Sequence, residues 1–123
     1  MRQLIIGHRL INDDEPCYVV ADLGGSHDGQ VATAQALIRA AAKAGASAVK
    51  LTKRENATLY TASVLDQPYD QEWSFGPTYG AHRAALELSE GAYRVCQTTA
   101  TANQVTFFAT AFDEASADVV MRL

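Results

Sequence analysis

Apolar and polar positions follow two rhythms along this chain, and the places where the rhythm changes mark its elements. Leu4-Ile5-Ile6 and Arg9-Leu10-Ile11 flank Gly7-His8. That spacing predicts two short strands around a tight turn, with Gly7 supplying the positive φ such a turn needs. Residues 12–16 form an acidic turn that ends the hairpin. Cys17-Tyr18-Val19-Val20-Ala21 is an apolar run of β-formers, the pattern of a strand buried on both faces, and is read as the first parallel strand. A glycine-rich loop from Gly24 to Gly29 follows. Between Gln30 and Ala44 the period lengthens, because Val31, Ala34, Leu37, Ile38 and Ala41 recur at helical spacing. Asp28 is placed to cap that helix, and Gly45 to take the left-handed position after it. Ala48-Val49-Lys50-Leu51 returns to strand.

From Thr52 to Leu88 the periodicity is lost, and Pro68, Gly76, Pro77 and Gly80 punctuate the segment. It is read as a long excursion with one short helix over 81–88. Tyr60, Tyr69, Trp73, Phe75 and Tyr79 argue that it packs on something, since disordered segments are poor in aromatics. Ser89 to Asn103 predicts a second helix, weakened by three threonines and Gly91. Val105 to Ala109 predicts a third strand, and Glu114 to Leu123 a third helix. Strand followed by helix, three times, implies parallel strands in either a (β/α) barrel or an open doubly wound sheet. Gly24 to Gly29 fits neither the GxGxxG nor the P-loop spacing, which counts against nucleotide binding.

The composition of the 123 residues, 48% hydrophobic and 20% charged, is that of one soluble globular domain. Ten basic against fourteen acidic residues, with no block of like charge, leave no electrostatic footprint for nucleic acid or a membrane surface. No run approaches the ~18 apolar residues of a membrane span, and the N-terminal stretch lacks a signal-peptide core, so the expected location is cytoplasmic. Cys17 and Cys96 have no metal-ligand spacing and are read as reduced, buried, small hydrophobes.

The chemistry sits at the strand ends. Side chains alternate faces, so Ala48, Lys50 and Thr52 share one face while Val49 and Leu51 meet the helices. By the same count Val20 pairs with Asp22, and Phe108 with Thr110. A carboxylate, an ammonium and a hydroxyl therefore converge at the C-terminal mouth, where the sites of TIM barrels lie. A lysine turned inward demands a reason, because an unpaired ammonium is costly to bury. Asp22 alone also suits a loop cap, and Thr110 alone is an ordinary strand residue. His27 is equally a loop brace or a site group. His82 and Arg83 are within range of an anion but are read as a solvated helix start.

The residues from Tyr18 to Gly29 resemble the opening "AEIGxNHxG" motif of the sialic acid synthase (N-acetylneuraminate synthase) family. Gly45-Ala46-Ser47-Ala48-Val49-Lys50 is similar to its second-strand "GADAVK", and Phe107 to Asp113 to its third-strand "F-x-[ST]-T-P-F-D". Residues 53–61 and 74–83 also look like one branch of that family. The resemblance spans almost the whole chain, in order and in spacing. It implies the TIM (β/α)8 barrel family, here an N-terminal hairpin plus about the first three βα units, with residues 1–123 forming an incomplete domain.

The resemblance further implies an enzyme of carbohydrate biosynthesis, a transferase that condenses phosphoenolpyruvate with an N-acetylated amino sugar and releases phosphate. Lys50 and Thr110 map onto phosphoenolpyruvate contacts, Asp22 onto a first-strand glutamate that is a candidate acid or base, and Thr52 and His27 onto acceptor-sugar positions. Asp22 is one methylene shorter than that glutamate, Ser26 stands for an asparagine, Thr52 for a glutamine and Ala111 for a proline. A divalent metal, Mn or Mg, and a homodimer are expected of the intact enzyme, with no metal ligands in this chain. A complete barrel needs ~250 residues, so the chain is expected to be an N-terminal fragment, inactive by itself. Two other readings stand beside this one: a truncated, non-catalytic half-barrel or anion-binding module, and a Schiff-base aldolase using Lys50.

Overall fold

In a computed structural model that describes residues 2–123, the chain opens with the hairpin read from its pattern. Strands β1 (Leu4–Ile6) and β2 (Arg9–Ile11) pair antiparallel with Leu4 opposite Ile11. Gly7 turns between them at φ +61°. The Arg9 guanidinium donates to Ser47 Oγ, and Gly7 lies near Thr106. The hairpin is thereby tied to the beginnings of the next strands.

Three parallel strands carry the rest: β3 (Val20–Gly24), β4 (Ala48–Lys53) and β5 (Thr106–Ala111), in the order β3-β4-β5. The register sets Asp22 beside Lys50, Lys50 beside Phe108, and Thr52 beside Thr110. It shifts between Asp22 and Gly24, so the end of β3 is irregular. The sheet is open, with no closed barrel among the described residues.

Helices α1 (Val31–Lys43), α5 (Glu90–Ala102) and α6 (Glu114–Met121) complete the strand-helix alternation. Between β4 and α5 lie three short helices, α2 (Asn56–Leu59), α3 (Ala62–Leu65) and α4 (Tyr79–Ala85). The core gathers Ala34, Ile38, Val49, Leu51, Tyr93 and Cys96, with Ala21, Leu23, Phe107 and Ala109 packed against it. Only alternate residues of each strand reach it, as the period of two requires. The threonines of α5 are accommodated because Thr98, Thr99 and Thr101 each donate to the carbonyl four residues back. Gln35 then donates to Thr99 Oγ1 across the α1–α5 contact.

Several expectations are corrected. The first parallel strand begins at Val20 rather than Cys17, and it is not buried on both faces: Val20 is 41% exposed. As an edge strand its second face has no cover, so an unbroken apolar run there signals proximity to the core rather than enclosure. Cys17 is exposed, and only Cys96 is buried. Asp28 does not cap α1. It sits at φ +53°, and the cap position is Gln30, without a side-chain bond. Gly45 is left-handed as expected, at φ +90°.

The excursion holds three helices where one was read, because four-residue helices are too short to show a period. It packs through an edge-to-face cluster in which Tyr79 meets both Tyr60 and Tyr69. Trp73 is largely exposed, and Phe75 about half exposed. His82, read as solvated, is buried against Tyr69 with ring centroids 4.5 Å apart, and its Nδ1 accepts the Phe75 N–H.

Candidate functional site at the strand ends

β4 is the central strand, and its two faces divide the labour. Val49 and Leu51 face the helices and are wholly buried. Lys50 and Thr52 lie on the opposite face, with Ala48, which is itself wholly buried. The Lys50 ammonium meets the Asp22 carboxylate of β3 at 2.8 Å, an ion pair whose lysine is mostly shielded and whose aspartate is mostly open to solvent. The register makes this contact, since the two residues are direct neighbours across the parallel ladder. Asp22 is further held by the Gly24 N–H, which donates to Oδ1 at 3.1 Å. Thr110 adjoins Thr52 one step along the face. The structure therefore brings Asp22, Lys50, Thr52 and Thr110 to one end of one face.

His27 lies in the β3–α1 loop, 1% exposed, with no bond to any of these four residues. Its Nδ1 accepts the Gly29 N–H. Burial lowers its pKa from the usual 6.5, with the Asp28 carboxylate pulling the other way, so the ring is a neutral brace for the loop. Gly29 is forced by its surroundings: φ is +72°, and a Cβ would fall 1.9 Å from the Ala85 carbonyl oxygen.

The C-terminal ends of the strands and the segments packed on them carry further side chains that the strand pattern did not single out. Lys53 pairs with Glu87 at 3.3 Å, and Glu87 also accepts the Arg54 N–H. The Arg54 guanidinium lies 4.2 Å from the Phe112 ring centroid. Asp113 caps α6 by accepting from Ser116 N and receives the Glu55 N–H at 2.7 Å, joining the ends of β4 and β5. Burial alone would raise the Asp113 pKa, but the hydrogen bonds from the Glu55 and Ser116 N–H groups and the Ser116 hydroxyl outweigh it and lower it. The Tyr93 hydroxyl donates to the Thr52 carbonyl at 2.7 Å, and burial pushes that phenol well above its ordinary value. Asp113 closes the third-strand motif, which gives it no role by itself, and Glu87 falls within the helix predicted over 81–88, where an acid is an ordinary surface residue.

Among the described residues no group of three or more His, Cys, Asp or Glu side chains could hold a metal ion. No step below runs through the divalent metal that the resemblance implies. No helix among the described residues is long and apolar enough to cross a membrane.

A family model described as the NeuB family matches residues 37–123. N-acetylneuraminate-9-phosphate synthase of Drosophila melanogaster is 35% identical over 119 residues, which cover 97% of this chain and 31% of that protein. The Homo sapiens protein of the same name is 32% identical over 115 residues, covering 94% and 32%. The chain spans about a third of the length of the curated relatives it matches. An N-acetylneuraminic acid synthetase from Leptospira borgpetersenii superposes with a TM-score of 0.75 at 20% identity, over 98% of this chain and 38% of its own. That superposition speaks for the fold.

Proposed function

This chain belongs to the NeuB family, and from that premise we propose that it forms the opening part of a synthase barrel that condenses phosphoenolpyruvate with an N-acetylated amino sugar. The observation that carries the proposal is the Asp22–Lys50 pair, with Thr52 and Thr110 beside it, on the one sheet face that no helix covers. A polar strand-end cluster on an otherwise apolar sheet suits a small, highly charged ligand.

In this reading Lys50 and Thr110 hold phosphoenolpyruvate. A fixed ammonium and a hydroxyl in a partly shielded site bind an oxyanion more strongly than they would in water. The ligand takes over the lysine, and Asp22, mostly exposed, turns to the reacting carbons. Carbon 3 of phosphoenolpyruvate attacks the sugar aldehyde carbon, whose oxygen takes up a proton. Water adds to the cationic carbon left behind, and phosphate departs with its bridging oxygen. Asp22 is the candidate to move a proton here, and Thr52 lies on the acceptor side. His27 acts by holding the loop between Gly24 and Gly29. The two relatives described above make a 9-phosphate by name, which favours a phosphorylated acceptor. A divalent metal and a homodimer belong to this proposal for the whole protein, with metal ligands drawn from beyond these residues. A Schiff-base role for Lys50 requires a free neutral amine, whereas this ammonium is engaged by a carboxylate.

Calorimetric titration with phosphoenolpyruvate tests the assignment. Loss of one charge-assisted contact predicts that Lys50→Ala weakens binding by about tenfold or more, and Thr110→Val by less. Unchanged affinity in Lys50→Ala would remove the basis for the proposal.

A further inference from the structure

Arg54 and Arg83 stand at either end of the excursion, each against an aromatic ring, and among the described residues no carboxylate answers either of them. Neither enters an ion pair, and the Nε of each is closed off from solvent without an acceptor. The carboxylates around Arg54 are committed elsewhere. Glu87 binds the Lys53 ammonium and the Arg54 backbone, and Asp113 binds the Glu55 N–H and Ser116. Leaving a charged donor buried and unmatched is unfavourable, so the arrangement favours an incoming anion.

Both guanidinium groups lie within electrostatic reach of the Tyr79 phenol. Arg83 lies 5.9 Å from the centroid of the Tyr79 ring. Both arginines also act electrostatically on the Tyr79 phenol, pulling its pKa down against the Tyr60 hydrogen bond that chiefly holds it up. Glu87, which accepts the Arg54 N–H, follows Arg83 by about one helical turn. Two residues beyond Arg54, Asn56 Oδ1 is a buried acceptor with no donor, the complement of a sugar hydroxyl.

We propose that Arg54 and Arg83 form a second anion site, separate from Lys50 and Thr110, that takes a phosphate monoester on the far end of the acceptor sugar. The inference rests on the reading of Lys50 and Thr110 as the phosphoenolpyruvate site. Phosphoenolpyruvate supplies the carboxylate end of the product, so a phosphate at the other end has to arrive with the acceptor. Guanidinium suits that group because its planar fork matches phosphate oxygens and stays charged throughout the working pH range.

The test is calorimetric titration of the chain with N-acetylmannosamine 6-phosphate, N-acetylmannosamine and phosphoenolpyruvate. One charge-assisted phosphate contact per arginine predicts a preference of at least about tenfold for the phosphorylated sugar. Arg54→Gln and Arg83→Gln each remove most of that preference and leave phosphoenolpyruvate binding unchanged. Arg83→Lys retains part of it, which separates lost charge from a damaged fold. Equal affinity for the two sugars, or a preference that survives both glutamine variants, overturns the site. Loss of phosphoenolpyruvate binding in Arg54→Gln overturns it too, by assigning the arginine to the first site. Phosphoenolpyruvate binding indifferent to Lys50→Ala, with the sugar preference still dependent on both arginines, would fault the Lys50 reading and leave this one standing.

Discussion

The two faces of the β3–β5 sheet are built from alternate residues of the same strands and have opposite characters. On the helix side Val49, Leu51, Phe107 and Ala109 join Ile38, Tyr93 and Cys96 in the core. On the other side Asp22, Lys50, Thr52 and Thr110 stand beside Val20 and Phe108, which are 41% and 40% exposed. One face is packed into the core and the other carries the polar groups of the proposed site. A strand position can be changed on either face without altering the backbone, yet the cost falls in a different quantity.

That division can be broken most forcefully from the helix side. Leu51→Ala removes a fully buried side chain, and the expected loss is about 3 kcal/mol by denaturant unfolding, with no direct loss of a ligand contact. Lys50→Ala is the counterpart. Its ion pair is half open, so the unfolding free energy should change by less than about 1 kcal/mol, while phosphoenolpyruvate binding falls. If Lys50→Ala proved as destabilising as Leu51→Ala, the Lys50 face would be structural too and the distinction would collapse.

Acid sharpens the comparison further. His27 and His82 are buried, and burial lowers both pKa values below 6.5, helped at His82 by Arg83. The unfolded chain then binds protons that the folded chain refuses, so stability falls as pH drops through the range below about 6.5. A melting temperature declining between pH about 7.5 and about 5.5, and a flatter profile in His82→Gln, is the expected result. A slope unaffected by that substitution would place the proton uptake elsewhere. The smallest effect concerns the thiols. Cys17 is exposed, whereas Cys96 is buried and its thiol pushed up. A thiol reagent should label Cys17 at once in the folded chain and Cys96 only on unfolding.

Much of this division is legible in the residues themselves. The alternation through Ala48-Val49-Lys50-Leu51-Thr52 assigns each side chain its face, because a period of two leaves no other solution once the core side is known. The hairpin is equally plain from Gly7. What escapes is whatever depends on contacts across long stretches of chain. His82 looks like part of a polar helix start, and only Tyr69 and Phe75 folding over it make it a buried base. Asp28 has the chemistry of a cap, but the loop bends back through it. Arg54 and Glu87 lie far apart in sequence and become neighbours only when the excursion closes on β4.

The Gly29–Ala85 contact has a practical consequence for redesign. With no room for even a methyl group between the loop after β3 and the end of α4, the two segments make a single cassette. Transplanting residues 52–88 from a relative to change substrate preference would import a foreign α4 against a resident loop. A working chimera would have to carry the stretch from Gly24 to Gly29 along with it.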